Sequence, residues 1–309
     1  DQEMTGTLDL RVRIDGDMRD PHVLNDVSSL QSFLEREDKV SLSYSFADVV
    51  KQMHRTFMDD EPAHYTIPDS ASKIKNLIRG FSSDNSSVVD DMDYESGLVT
   101  VLAKVMSTDE IFHYANKTDA YIDESLTSDM RVTVTGMIIV IRDMVIMIIR
   151  SSAFSIIFSL IVIGLIASIF FKRILWGTLA VIPLTSAVIL NFGLMGHFGV
   201  TLNHITAILS SIIIGVGVDF AIHYISQFRR LSRKANPDQL SREVIDDVGY
   251  PIILDAGSNM GFGALLFSTF LPIQYIGGLM VFAMVSTSMG TLTVLSALAE
   301  LLKRRLIEK

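Results

Sequence analysis

The chain has 309 residues, a mean hydropathy of +0.39 and 20% charged residues, a combination that argues against one uniformly water-soluble fold. Its formal net charge of −9 is unevenly spread, because residues 1–150 hold 27 Asp and Glu against 15 Lys and Arg, whereas residues 151–309 hold 8 against 11. The acidic balance excludes a nucleic-acid-binding stripe, and the absence of cysteine excludes disulfides, thiolate metal sites and a cysteine nucleophile. Since the sequence begins with Asp1 and carries no signal-peptide pattern, we expect it to be a piece of a longer chain.

The first 136 residues alternate strand and helix signals. Strand patterns predict strands at residues 7–14, 40–44, 98–105 and 131–135. Capping residues predict helices over 20–36 and 107–126. Two β-α-β units of this kind predict an α+β protein whose region 1–136 is a ferredoxin-like sandwich, with helices on one face of one sheet. The insertion between the units contains helix candidates at 46–57 and 70–81 and a polar loop at 82–93.

Residues 137–151 form a predicted connecting helix, which continues into the membrane because no Gly or Pro interrupts it. Movement in one half of the chain could therefore reach the other. The first half of the chain has few candidate catalytic or metal-binding residues. His54, His64 and His113 show no metal-ligand spacing and are interpreted as surface or core residues, so we expect neither a metal site nor an enzyme.

The second half is predicted to be a bundle of five membrane helices over residues 152–305. Five apolar stretches are each long enough to cross a bilayer: 152–171, 174–200, 202–228, 250–271 and 273–302. All eleven Lys and Arg of this half fall in the first connection, the third connection and the tail, which predicts that these lie in the cytoplasm and that region 1–136 lies outside it. The third connection also contains a predicted amphipathic surface helix at about 236–248.

The third predicted span contains a carboxylate. Asp219 lies about nine residues, roughly 13 Å, from the basic edge of its span. Insertion scales place the cost of such a group near ~3 kcal/mol, and intramembrane carboxylates usually mark ion or proton pathways, although a purely structural pairing is the alternative. Gly215 and Gly217 predict close helix packing beside it. At the opposite mouth, Asn203 and His204 fit a proton access site and ordinary loop residues equally well.

Three further polar residues lie within about one helical turn of the predicted depth of this carboxylate. His223 follows Asp219 at spacing i, i+4, and Asp255 and Asn259 have the same spacing on the next span. Counting from the basic ends of the two spans places Asp219 level with Asn259 and His223 level with Asp255. We predict a proton relay in which Asp219 exchanges the proton and Asn259 hydrogen-bonds the carboxylate. His223 and Asp255 connect it to the cytoplasm, unless Asp255 simply reaches the membrane interface.

The segment GVGVDFAIHYISQFRR at 215–230, with its basic loop and amphipathic helix, resembles the central helix of resistance-nodulation-division (RND) superfamily exporters. The resemblance is strongest to hydrophobe exporters akin to the mycobacterial large membrane proteins and the hopanoid transporter. It extends to IDGD at 14–17, YTIPDS at 65–70, VTVTG at 132–136 and FGLMGHFGVTLN at 192–203.

The resemblance implies a periplasmic porter domain, proton-driven export of lipids or other amphiphiles from the bacterial inner membrane, and two homologous halves of six spans each. This chain is similar to the second half without its first span, so the other half is the implied partner, covalently joined or as a second copy. No cofactor beyond the proton gradient is implied. Phe220 replaces a frequent Tyr, and Asp255 and Asn259 are unusually polar, which leaves Na⁺ coupling open. A sterol-sensing-domain-like lipid sensor and an accessory subunit of protein secretion are the alternative functions.

Overall fold

The computed structural model describes residues 6–80, 94–125, 130–200, 204–233 and 239–307. The chain divides into two compact units, Asp1–Met144 and Val145–Lys309. Among the described residues, regular structure is mostly helical, with one small sheet in the first unit. The polar loop predicted at 82–93 lies outside the described residues.

Four antiparallel strands form the sheet: β1 Leu8–Asp15, β2 Val40–Tyr44, β3 Ser96–Ala103 and β4 Arg131–Thr135. Their spatial order is β2-β3-β1-β4, and Val12 of β1 pairs with Val99 on one side and Val134 on the other. Leu10, Val12 and Ile14 are buried while the arginines between them are exposed. This alternation commits one face of the sheet to the core of the unit.

Four helices lie wholly in the first unit: α1 Pro21–Leu34, α2 Phe46–Phe57, α3 Ala71–Gly80 and α4 Thr108–Ser125. Helix α1 begins where sequence reasoning placed it, because the Asp20 carboxylate accepts the His22 amide at 2.9 Å. Helix α4 begins with a capping box, in which the Ser107 amide donates to the Glu110 carboxylate at 2.7 Å and the Glu110 amide donates back to the Ser107 hydroxyl. Apolar residues of all four helices join the inward face of the sheet in one core.

The long helix α5 Met137–Phe170 is followed by α6 Ile174–His197, α7 His204–Leu231 and α8 Leu240–Asn259. A 3₁₀ segment, Met260–Phe267, continues from α8, and α9 Leu271–Gly290 runs through a π-helical segment, Thr291–Leu295, into α10 Ser296–Leu301 and α11 Lys303–Ile307. Ser241 at the start of α8 donates to Glu300 of α10 at 2.5 Å. The second unit is therefore a bundle of long apolar helices with a polar contact at one end.

Four helices among the described residues are long and apolar enough to cross a membrane: Met137–Phe170, Ile174–His197, Thr206–Leu231 and Leu271–Leu301. About half of each of the last three is buried in the unit, whereas only 6% of the apolar stretch of α5 is buried. Helix α5 thus exposes an apolar surface along most of its length, as expected of a helix that faces lipid.

The structure differs from the predicted separation of a surface helix at 236–248 from a span at 250–271. A single helix, α8, runs through both, and the chain tightens to the 3₁₀ form at Met260. Pro251 removes one backbone hydrogen bond but does not end the helix. Val244, before the proline, and Ile252, after it, both lie buried against residues of α7. Packing on one continuous face offsets the local cost of the proline.

Candidate functional site

The candidate site lies on α7, whose two faces have opposite characters. Phe220 and Tyr224 are fully buried in the bundle, whereas Asp219 and His223, each one residue earlier, are exposed on the outside of the second unit. Ser211 and Gly215 continue the exposed stripe at four-residue spacing. From Ser211 to His223, the stripe therefore consists of a hydroxyl, a glycine without a side chain, a carboxylate and an imidazole along one side of a membrane-length helix.

Helix α8 packs beside α7 in a register that side-chain contacts define. Phe220 packs against Ile252 and Ala256, and the Gln227 amide donates to the Asp247 carboxylate. In antiparallel helices these contacts place residue 219 level with residue 255. Two carboxylates, Asp219 and Asp255, therefore lie at one depth on neighbouring helices.

This register corrects the predicted one by about one helical turn. Counting from assumed span ends had placed Asp219 level with Asn259. Helix α7 extends to Leu231 instead of ending at 228, and α8 begins at Leu240 instead of 250, so the assumed ends were not equivalent. Contacts between large side chains, and not the ends of apolar runs, set the relative depth of two packed helices.

The Asn259 side chain forms hydrogen bonds within its own helix, α8. Its side-chain amide donates to the Asp255 backbone carbonyl at 3.1 Å and to the Asp255 carboxylate at 3.3 Å. The structure thus brings Asn259 to Asp255 and does not bring it to Asp219. Across the part of the chain that the structure describes, no hydrogen bond or ion pair is formed by Asp219 or His223.

The two glycines of the predicted site have different roles. A Cβ at Gly217 would lie 2.8 Å from a Leu184 methyl and 2.9 Å from the Thr287 methyl, so this glycine permits close packing of α6, α7 and α9. A Cβ at Gly215 would meet nothing within 4 Å. Gly215 therefore leaves open space on the exposed stripe between Ser211 and Asp219.

The arrangement has a defined chemical capacity. A lone carboxylate in the hydrocarbon region of a membrane costs much more free energy when it is ionised than when it is protonated. Protonation therefore allows the side chain to be buried in an apolar environment that excludes the ionised form. Asp219 has space around it, and His223 lies one turn away on the same exposed side. Both side chains are accessible without rearrangement of the buried core of α7.

The remaining predicted candidates lie elsewhere. The His54 imidazole forms a hydrogen bond with the Thr66 carbonyl at 2.8 Å. The centre of its ring lies 5.8 Å from that of the His64 ring, a contact that the sequence did not predict because the two residues are ten positions apart. His113 lines a 420 Å³ cavity of the first unit with Lys39 and Glu110. Within the described ranges, no group of three or more His, Asp or Glu could hold a metal ion. The side chains of Asn203 and His204 lie outside the description.

Sequence reasoning missed one feature beside the site. Thr287 and Thr291 are buried on α9 and at the start of the π-helical segment, and Thr287 lies against Gly217. Such π segments occur frequently at functional sites. The run STSMGTLT at 286–293 was the available signal, because small hydroxyl residues are common where membrane helices approach closely.

Comparison with known proteins agrees with this architecture. A protein of Methanocaldococcus jannaschii that is named as a membrane protein, MJ1562, is 22% identical over 295 residues, which cover 94% of this chain and 74% of the relative. The model of the MMPL family, whose members are RND-related, matches residues 19–309, which include strands β2 to β4, all the long helices and the Asp219 stripe. The chain belongs to the MMPL family.

Proposed function

We propose that this chain is one half of an ion-driven exporter that moves lipids or other amphiphiles out of the inner membrane, in the hydrophobe-export branch of the RND superfamily. Membership of the MMPL family supports a membrane transporter of hydrophobic substrates. The observation that carries the coupling proposal is the pair of level carboxylates: Asp219 is exposed on the membrane-length helix α7, and Asp255 is exposed on the neighbouring helix α8. A carboxylate at this depth is costly, and such groups usually mark ion or proton pathways.

The proposed coupling uses the two charge states of Asp219. Neutralising the carboxylate removes the cost of its burial, so a closed packing of the exposed stripe becomes accessible when the proton is bound. A membrane potential of about 100 mV contributes about 2.3 kcal/mol per charge moved, enough to bias two helix packings. His223 and Asp255 would pass the proton toward the basic side, while Asn259 fixes Asp255. The same oxygens would serve Na⁺ if that ion is the driver.

The first unit would be the porter domain. Its element order β1-α1-β2, insertion, β3-α4-β4 and its strand order support the ferredoxin-like arrangement proposed from the sequence. We place this unit in the periplasm and the tail in the cytoplasm, since the basic connections fall on one side of the bundle. Helix α5 would carry packing changes toward it.

A second half would complete the site. The exposed stripe of α7 would contact an equivalent stripe, covalently joined or from a second copy, and thereby leave the lipid. The M. jannaschii relative supports a second copy, because 295 residues that make up 74% of it imply a length of about 400 residues. Its remaining quarter is too short to contain another such half.

Transport by the purified full chain in proteoliposomes tests the proposal. A fluorescently labelled phosphatidylethanolamine is the probe, and an imposed pH or Na⁺ gradient is the driving force. We expect gradient-stimulated movement of the probe by the unmodified chain and by Asp246→Asn, an exposed position near the start of α8. We expect none with Asp219→Asn. Stimulation that survives Asp219→Asn contradicts the coupling role, and probe binding without any gradient effect favours the lipid-sensor alternative.

A further inference from the structure

A groove lies between α5 and α6, and no residue of the carboxylate stripe is among its lining residues. It encloses about 490 Å³, within the usual range for small-molecule sites. Gly164 and Ser168 on α5 and Gly177, Thr178 and Val181 on α6 are among its lining residues.

The groove is apolar in effect despite its hydroxyl side chains. Ser168 donates to the Gly164 carbonyl at 2.6 Å, Thr178 to the Ile174 carbonyl at 3.2 Å, and Thr185 to the Val181 carbonyl at 3.0 Å. Because each hydroxyl hydrogen is used within its own helix, the groove presents methyl and methylene surface. A flexible hydrocarbon chain suits such a surface better than a polar solute does.

The end of the groove nearest the α5–α6 connection is positively charged. Lys172 is exposed in this connection, and its backbone φ of 56° lies in the left-handed region that favours glycine. Arg229 stacks its guanidinium 5.4 Å from the ring centre of the adjacent Phe171. Neither cation forms an ion pair within the described part of the chain. Helix α6 starts at Ile174, on the groove wall, with no side-chain cap, so its first amides add positive potential.

We propose that this groove binds one anionic glycerophospholipid of the surrounding leaflet, with an acyl chain between α5 and α6 and the phosphate at Lys172. The apolar wall of the groove would hold the lipid tail, and the exposed Lys172, the half-buried Arg229 and the uncapped start of α6 lie at the end where the headgroup would be. Basic pockets between membrane helices recognise anionic headgroups by this combination. The bound lipid would cover part of the apolar surface of α5, which is consistent with the small buried fraction of that helix. The site does not depend on the proposed transport, and Asp219→Asn should leave it unchanged.

The chain contains a single tryptophan, Trp176, which is buried in the core directly before the groove-lining Gly177. Its fluorescence is the probe of acyl-chain binding in the groove. The purified full chain is reconstituted in phosphatidylcholine vesicles that contain a small fraction of either phosphatidylglycerol or phosphatidylcholine with brominated acyl chains, which quench nearby indole fluorescence. We expect stronger quenching by the brominated phosphatidylglycerol. Equal quenching by the two lipids overturns the proposal.

Variants separate headgroup from acyl-chain recognition. Lys172→Gln should reduce the preference for phosphatidylglycerol about five-fold, whereas Lys172→Arg should retain it. Thr178→Phe fills the groove and should weaken quenching by both brominated lipids. Arg242→Gln, an exposed cation on α8, and Ile189→Phe, an exposed position on α6 that is not among the groove-lining residues, are matched controls and should change neither. An unchanged preference in Lys172→Gln refutes the assignment of the phosphate, and the emission maximum of Trp176 shows whether each variant is folded.

Discussion

Replacement of Gly177 by alanine tests the close approach of α6 to α5 at this residue. A Cβ at this position would lie 2.0 Å from the Ser168 hydroxyl and 2.1 Å from the Gly164 carbonyl oxygen. Ordinary contacts of this kind begin at 3.4 Å, so α5 and α6 must move apart by about 1 Å or more. The added methyl group would also enter the hydrogen bond that joins Ser168 to Gly164. Overpacking of this kind costs about 1–3 kcal/mol.

The higher helix propensity of alanine stabilises the variant, and this effect must be separated from the cost of overpacking. An alanine in place of a helical glycine stabilises a helix by roughly 0.5–1 kcal/mol. Gly193 on the same helix provides the control, because a Cβ there would meet nothing within 4 Å. We therefore expect the free energy of unfolding of Gly177→Ala to fall about 1–3 kcal/mol below that of Gly193→Ala. Equilibrium unfolding in detergent micelles, followed by Trp176 fluorescence, measures both. A Gly177→Ala protein as stable as Gly193→Ala would refute the described contact.

Two predictions concern the first unit. Hydrogen bonds from the Lys39 ammonium and from the Ser107 amide and hydroxyl lower the pKa of Glu110 to about 2. The ionised Glu110 carboxylate therefore stabilises the folded state above the ordinary pKa of 4.5, and this contribution is lost as the pH falls from 4.5 through about 2. Because Lys39→Met removes one of these hydrogen bonds, it should raise the pKa of Glu110 in an NMR titration of the full chain. The buried Tyr114 hydroxyl donates to the Leu34 carbonyl at 3.2 Å, and burial raises its pKa. Tyr114→Phe should cost about 1 kcal/mol in denaturant unfolding, whereas Tyr44→Phe, at an exposed position, should cost less than about 0.5 kcal/mol; equal costs would contradict the buried bond.

Local signals explain which elements could be predicted from the sequence. Strands β2 and β4 and helix α2 begin and end at the predicted residues, because apolar and polar alternation in the strands and Ser45 at the helix start act within a few positions. The order of the strands has no such local signal. It depends on contacts between residues far apart, such as Val12 with Val99 and Val134.

In the candidate site, too, local features could be predicted from the sequence, whereas contacts between distant residues could not. Asp219 could be identified from one sequence, because a carboxylate within an apolar run is conspicuous on energetic grounds alone. Its level with Asp255 could not, since that depends on how Phe220 packs against Ile252 and Ala256. Nor could the continuity of α8 across Pro251, where tertiary packing overrides the local preference of proline. The residues of the site were accessible to sequence reasoning, but their pairing required the structure.

The central claim is that Asp219 binds and releases a proton within the membrane. Difference infrared spectroscopy of the full chain in lipid vesicles measures this directly, because a protonated carboxyl group has a carbonyl stretching band that a carboxylate lacks. With isotopically labelled aspartate, we expect a pH step to change a carboxyl band that is present in the unmodified protein and in Asp246→Asn and missing in Asp219→Asn. A difference spectrum of Asp219→Asn identical to that of the unmodified protein would contradict the account.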